Sequence, residues 1–310
     1  MKKTFTFFLF LAVFGGLATT ASAQSFTDRQ RNMRNLLIDT NIRDNSDIGY
    51  RGSWMYYHAS LAEGKNISAA NNYFANSSEV QPGEWESLLY IATYLKYKDT
   101  YLTSAAKTRL LSVIDNFTSQ NGGGENHPIV WACTYVLTDQ ALGFNRGKHA
   151  AAVTKIKDWV KLKVAKSYWE VNSPHYLERS LIPLVNLYDY TNNPELKLYA
   201  QIAIDQMVAD AAIHSIKGVR GGPWHRAFQI GTTREITDGT QDGLYVASYV
   251  LFGNTPLPDY KMNDQILGYG IFSTTSYRPP ALIKDLATDL DGRGAYVVKG
   301  KLTKRRGEPG

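Results

Sequence analysis

Hydrophobic residues recur at intervals of three and four along most of this chain, from Ser25 to about Phe252. This spacing is typical of amphipathic helices. Short polar connections separate the helical segments, which predicts successive antiparallel helical hairpins. The predicted helices cover residues 26–42, 54–64, 69–74, 85–97, 102–117, 128–142, 150–165, 173–190, 194–214 and 242–252.

The pattern changes after Pro258. Residues 273–280 predict an extended loop, 280–290 one last helix, and 296–298 a single strand. A lone strand is not stable by itself. It therefore either pairs with a segment that the pattern does not identify or opens a β-rich domain that continues beyond it.

The first residues predict a signal peptide. Lys2 and Lys3 precede an almost unbroken apolar run, and Ala21-Ser22-Ala23 has the small residues of a cleavage site. We expect cleavage after Ala23 and a periplasmic or secreted product. The domain prediction is a signal peptide at 1–23, a helical domain at 24–260 and a C-terminal extension at 261–310.

Composition narrows the expected partners. The 310 residues carry a net charge of +6 with a pI near 9.1, which favours anionic partners. The charge is not concentrated along the body of the chain, and the one dense basic run, 301–306, is expected to be a solvated tail, so we expect no nucleic-acid partner. No further segment predicts a membrane span, and the oligomeric state stays open. Cys133 is the one cysteine, so no internal disulfide forms, and its place on an apolar helix face predicts burial.

Polar and aromatic clusters recur at the start of every second predicted helix. They lie at 83–86, 124–127, 172–176 and, after a longer gap, 237–240, with the first three about 42 and 48 residues apart. Alternate helices in a chain of hairpins run parallel, so these clusters converge on one end. Helix N-termini favour anions through their dipoles and free N–H groups. The pattern therefore predicts an anion-binding rim.

The cluster after the glycine run 122–124 is the strongest candidate. Asn126 and His127 can bind a substrate carboxylate or carbonyl, with His127 as donor or base; alternatively, Asn126 is a helix cap and His127 a surface residue. Glu125 is either an acid or base or a favourable charge at a helix start. Trp131 and Tyr135, one and two turns later, suit the lining of a cleft.

Two further clusters supply candidate chemistry. Asn172, His175 and Tyr176 surround a good helix start, Ser173-Pro174, and a tyrosine beside a cation or amide can act as base or acid. Residues 221–228 form a glycine-rich loop that is a poor core segment. In this loop Trp224 can stack on a sugar, while His225 and Arg226 can hold an anion.

For several residues the sequence predicts a packing role or assigns no role. Trp85 lies on an apolar stripe, which favours packing, and His58, His149 and His214 have no partner that the sequence identifies. The spacing of His and acidic residues indicates no metal site, and no cofactor is expected because no nucleotide loop or Gly-x-Ser-x-Gly elbow occurs.

These residues resemble exported bacterial proteins with the (α/α) toroid fold, which is the fold of many polysaccharide lyases and of six-hairpin glycosidases. The similarity is to an alginate lyase or a heparinase II/III-like N-terminal domain. It rests on residues 125–127, on 172–176 leading into 184–189, and on 218–222, and it spans about 30 to 280. It implies an all-α fold, namely an incomplete toroid of about five to six antiparallel hairpins with a short irregular or β-containing tail.

The resemblance also implies residue roles. Asn126, His127 and Arg226 would neutralise a uronate carboxylate, and Tyr176 or His175 would remove the C5 proton. The expected function is an exported lyase that cleaves a uronic-acid-containing polysaccharide or oligosaccharide by β-elimination. One alternative is a glycoside hydrolase, which needs two carboxylates across the cleft; Glu125 with Glu86, Glu170 or Asp238 could supply them. The other alternative is a non-catalytic glycan-binding toroid.

Overall fold

The structure is a computed structural model that describes residues 24–44, 49–78, 83–117, 124–167, 173, 176–216, 218–220, 243–258 and 267–294. These residues are mostly helical, which confirms the all-α prediction. A short 3₁₀ helix lies at Ile42–Asp44. The α-helices are α1 Phe26–Asp39, α2 Tyr50–Ala62, α3 Ile67–Asn76, α4 Glu84–Tyr97, α5 Ser104–Asp115, α6 His127–Ala141, α7 His149–Lys166, α8 Tyr176–Tyr190, α9 Pro194–Ile213, α10 Gly243–Phe252, α11 Gly268–Phe272 and α12 Ala281–Thr288.

One small sheet interrupts the helices within the described ranges. Strand β1, Ser215–Ile216, pairs antiparallel with β2, Val219–Arg220. Gly218 turns the chain between them at φ +77°, a left-handed conformation that glycine adopts without strain. The sequence predicts only a glycine-rich loop here, because strands of two residues leave no alternating pattern. The strand expected at 296–298 lies outside the described residues.

Side chains cap the first turns of some helices and not of others. Ser25, Thr103 and Asn193 accept hydrogen bonds from backbone N–H groups at the starts of α1, α5 and α9. Helices α4 and α6 begin without a side-chain cap. Their first N–H groups, which have no partner inside the helix, are therefore not satisfied by a capping side chain.

Helices α2, α4, α6 and α8 pack side by side. Helix α4 contacts α2, α6 and α8, and α6 contacts α8. Helix α11 contacts both α8 and α2, so the succession of contacts returns to α2. Helices α3, α5, α7 and α9 contact members of this set, α3 also packs against α5, and α7 against α9. The N-termini of α2, α4, α6 and α8 lie at one end of the molecule, because first-turn side chains of α4 contact Tyr50 of α2, His127 of α6 and Arg179 of α8.

The buried core runs through all of these helices. Trp54 of α2 is fully buried, and a methyl at Gly270 of α11 would lie 2.5 Å from its ring, so only glycine fits there. Arg293 donates to the carbonyls of Ala212 and Ser215 at 2.9 Å. Residues 267–294, which the sequence assigns to a C-terminal extension, thus pack into the same core. Cys133 is fully buried, in agreement with the sequence.

No helix in the described ranges is long and apolar enough to cross a lipid bilayer.

Candidate functional site

The first turns of α4, α6 and α8 meet at one end of the molecule. We call this cluster the rim, comprising Glu84, Trp85, Asn126, His127, Tyr176 and Arg179. At its centre Glu84 Oε2 lies 2.6 Å from His127 Nδ1. The Glu84 side chain is 3% exposed and that of His127 is 24% exposed. A carboxylate at Nδ1 favours the tautomer with the proton on that nitrogen, which leaves Nε2 able to accept a proton.

Aromatic rings and a cation surround this pair. The Trp85 ring meets the His127 ring edge-on, with centroids 5.8 Å apart. The guanidinium of Arg179 lies 4.8 Å from the Trp85 ring centre and 5.7 Å from the Tyr176 ring centre. Trp85, which the sequence assigns to packing, therefore belongs to the rim. A planar guanidinium held against two rings is suited to binding a carboxylate.

Asn126 lies at the N-cap position of α6, but its side chain does not cap the helix. Its backbone is already helical, with φ −80° and ψ −35°. The residue is fully buried, and neither its amide oxygen nor its amide nitrogen has a hydrogen-bond partner in the described part of the chain. Glu84 Oε1 and Trp131 Nε1 are also buried without such a partner. Unsatisfied buried polar atoms are rare in proteins and require an explanation.

Glu125 turns away from the rim. Its carboxylate pairs with Lys163 near the end of α7, with side chains 7% and 4% exposed, and Trp159 Nε1 donates to its backbone oxygen at 3.2 Å. This buried pair fastens the start of α6 to α7. The sequence predicts a substrate-binding role for Glu125, but its side chain is directed at Lys163 and not at the rim.

Trp131 and Tyr135 lie on α6 with ring centroids 5.5 Å apart. Trp131 is one turn beyond His127 and 9% exposed. The Tyr135 hydroxyl accepts from Lys148 N at 3.2 Å, and the Arg146 guanidinium lies over its ring at 4.5 Å. Tyr135 thus packs against the connection between α6 and α7, and the structure does not bring it to the rim.

Tyr176 opens α8, and its backbone N–H donates to Ser173 Oγ at 3.2 Å, so Ser173 caps this helix as the sequence predicts. Two other helices, α10 and α11, begin beside the N-terminal end of α8. Glu178 is 1% exposed, and its carboxylate accepts from the N–H of Gly268. A methyl at Gly243 would lie 2.3 Å from Glu178 Cδ, so both glycines allow α10 and α11 to start against this carboxylate.

A second acidic group lies beside the rim. Glu86 of α4 accepts a hydrogen bond from the Tyr50 hydroxyl, and Arg51 Nη2 lies 3.8 Å from its Oε1. Burial raises the pKa of the Glu86 carboxyl. The sequence suggests Glu86 only as a carboxylate for the hydrolase alternative and assigns no role to Glu84 or Arg179. The available signal was their position in the first turns of alternate helices.

The remaining predicted site residues, Asn172, His175, Trp224, His225 and Arg226, lie outside the described residues, as do Glu170 and Asp238. Across the part of the chain that is described, no group of three or more His, Cys, Asp or Glu is placed to hold a metal ion.

Comparisons with protein-family models, with curated proteins and with solved structures return no match for this chain.

Proposed function

We propose that the rim is the active site of a polysaccharide lyase acting on a uronic-acid-containing glycan. The observation that carries the proposal is the Glu84–His127 pair, with 2.6 Å between Oε2 and Nδ1, at the first turns of two neighbouring parallel helices. A histidine oriented by a buried carboxylate is suited to removing a proton near neutral pH. The adjacent cation and the helix N-termini favour a substrate that carries negative charge.

In this proposal, Arg179 and the Asn126 amide bind the uronate carboxylate. Their hydrogen bonds stabilise the negative charge that develops when the C5 proton leaves. His127 Nε2 takes that proton, and the electron pair forms the C4–C5 double bond. The bond from C4 to the glycosidic oxygen breaks, and the Tyr176 hydroxyl supplies a proton to the departing oxygen. The family resemblance implies that His127 neutralises the uronate carboxylate. Its contact with Glu84 instead supports a role as the base that takes the C5 proton.

The proposal also includes the toroid architecture and the export of the protein. The return of helix contacts from α2 through α4, α6, α8 and α11 supports an (α/α) toroid built from hairpins, with the rim at one end of its inner helices. Export, which would bring the protein to an extracellular or periplasmic glycan, rests on the sequence of residues 1–23.

The direct experiment offers the protein a panel of acidic polysaccharides and follows the ultraviolet absorbance of unsaturated uronate. We expect a rise with at least one substrate. Tyr176→Phe should abolish or strongly reduce the rise. The matched control is Tyr188→Phe, on the same helix but packed on Tyr277 at the opposite end with ring centroids 5.7 Å apart, and it should keep wild-type activity. Absence of a rise with every substrate contradicts the proposal.

One observation favours a glycoside hydrolase as the second candidate. The Glu86 carboxyl has a raised pKa because of burial, as a general acid requires. In that case the same incubation produces new reducing ends without the absorbance of an unsaturated product. Glycan binding with neither product would indicate a non-catalytic binding protein.

A further inference from the structure

A cavity of about 350 Å³ opens at the end of the molecule opposite the rim. It lies beside the C-terminal ends of α2 and α4 and the middle of α1. Along α4, twelve residues separate Glu84 from Lys96, which corresponds to about 18 Å at 1.5 Å per residue. The cavity is lined by Gln30, Arg34, Ala62, Lys96, Tyr97, Thr100, Tyr101 and Thr274. It is therefore separate from the candidate active site.

The lining contains two cationic side chains and no carboxylate. Arg34 is largely buried, with 12% of its side chain exposed, and Lys96 is half-buried. Burial lowers the pKa of Lys96; Asp189 opposes this effect, and the nearby charge of Arg34 adds to it. Glu63 pairs with Arg34, and the charge of Asp189 acts on Lys96, so a bound carboxylate would be held by the donors of these two cations that remain unused.

Local structure accounts for only part of the hydrogen-bonding capacity of these cations. Arg34 Nε pairs with Glu63, and its Nη1 donates to the Ser273 carbonyl. Lys96 Nζ donates to the Thr274 carbonyl at 2.9 Å, so both side chains satisfy carbonyls just after α11. An ammonium has three donors and a guanidinium five. Arg34 Nη2 has no protein partner within the described ranges, which leaves it and further Lys96 hydrogens for a ligand.

The remaining lining fits a sugar better than a bare ion. Tyr101 is 37% exposed and presents a ring edge or face on which an apolar sugar surface can pack. Thr100 adds a hydroxyl group beside it. A volume of about 350 Å³ falls in the range of small-molecule sites, whereas an inorganic anion needs much less space.

We propose that this cavity is a second binding site, for an acidic monosaccharide whose carboxylate binds between Arg34 and Lys96. The proposal does not rest on the lyase activity, since it uses no residue of the rim. An acidic sugar bound here would contact the middle of α1, the C-terminal ends of α2 and α4 and the segment after α11.

The test titrates the full chain with glucuronate by calorimetry, with glucose and inorganic sulfate as comparison ligands. Glucuronate should bind saturably, glucose should not bind, and sulfate should bind more weakly. Lys96→Met, which keeps most of the apolar stem, should weaken glucuronate binding about tenfold, because a hydrogen bond to a charged group is lost. Lys96→Arg should restore most of the affinity.

The matched control is Lys98→Met, two residues further along and outside the cavity lining, which should leave affinity unchanged. Circular dichroism of each variant checks that the helices are intact. No saturable glucuronate binding, equal binding of sulfate, or unchanged affinity in Lys96→Met would each overturn the proposal.

Discussion

Two clusters of buried polar groups, one at each end of the helical body, differ in how many of their atoms have hydrogen-bond partners. At the end opposite the rim, His58 is fully buried with Nδ1 2.9 Å from Thr93 Oγ1 and Nε2 3.1 Å from Thr274 Oγ1. Asp189 accepts from both the N–H and the hydroxyl of Ser276. Because both His58 ring nitrogens and the Asp189 carboxylate have hydrogen-bond partners, these groups hold the chain segments together.

At the rim, the Asn126 amide and Glu84 Oε1 are buried without a hydrogen-bond partner in the described residues. Each such group costs roughly 1–3 kcal/mol of stability. Pairing such groups within the protein would stabilise the fold, so their lack of partners supports the proposal that the rim binds a ligand. The cluster around His58, by contrast, maintains the fold.

Removing the rim histidine should have the largest effect. We expect His127→Ala to lower lyase activity roughly 10²- to 10⁴-fold, because the general base is lost. Its unfolding midpoint in urea should also fall, because the Glu84 carboxylate, with 3% of its side chain exposed, is left buried without the histidine. The matched control His214→Ala removes a histidine whose Nδ1 lies 2.8 Å from the Asp210 carbonyl, and it should retain activity. Wild-type activity in His127→Ala would contradict the role of this histidine as the base.

The buried ion pair between Glu125 and Lys163 should contribute to the stability of the fold. Lys163→Met leaves the Glu125 carboxylate buried without its partner and should destabilise the fold by about 3–5 kcal/mol. Adding Glu125→Gln should recover much of that loss in urea unfolding. Lys157→Met, which breaks the more exposed pair with Glu195, should cost less than about 1 kcal/mol. Equal effects of the two lysine variants would show that Glu125 is not a structural anchor.

The buried histidine at the opposite end should make stability depend on pH. Burial, with the charges of Lys96 and Arg34, holds the pKa of His58 well below its ordinary value of 6.5. The unfolded chain therefore binds a proton that the folded chain does not, and stability falls as pH drops below 6.5. The slope is about 1.4 kcal/mol per pH unit until the folded pKa is reached. Urea unfolding across this range should show a shallower slope for His58→Gln; identical slopes contradict the assignment.

Replacing the unsatisfied amide should separate stability from function. Asn126→Leu has a similar shape and removes two buried polar atoms without partners. It should raise the free energy of unfolding by about 1 kcal/mol while lowering activity at least about tenfold. Unfolding and initial rates measured on the same preparation check both parts. A less stable protein, or one with unchanged activity, would show that the amide has a structural partner or no role with substrate.

The sequence predicted the helices well because burial of one apolar face leaves a regular signal. The segment expected at 194–214 is α9, Pro194–Ile213, and the one expected at 242–252 is α10, Gly243–Phe252. The five-residue helix α11 was missed, since a segment shorter than two turns has no readable periodicity. It is nonetheless central, because Gly270 lies against Trp54.

The candidate site was only partly predictable. Asn126, His127 and Tyr176 lie at the rim because their helices run parallel. Spacing does not reveal which side chain of a first turn faces inward, so Glu125 was assigned to the rim while Glu84 was not. Apolar periodicity likewise assigned Trp85 to packing. Those assignments depend on the rotation of each helix about its axis, which is set by packing across the whole body.

The most direct test of the account is the initial rate of unsaturated-uronate formation by Glu84→Gln. This change keeps the size of the side chain but removes the charge that orients His127 through Nδ1. On an acidic polysaccharide that the wild type cleaves, we expect a rate lower by about a hundredfold or more, with an unchanged unfolding midpoint. A variant that cleaves at the wild-type rate would contradict the role of the Glu84–His127 pair as the catalytic base.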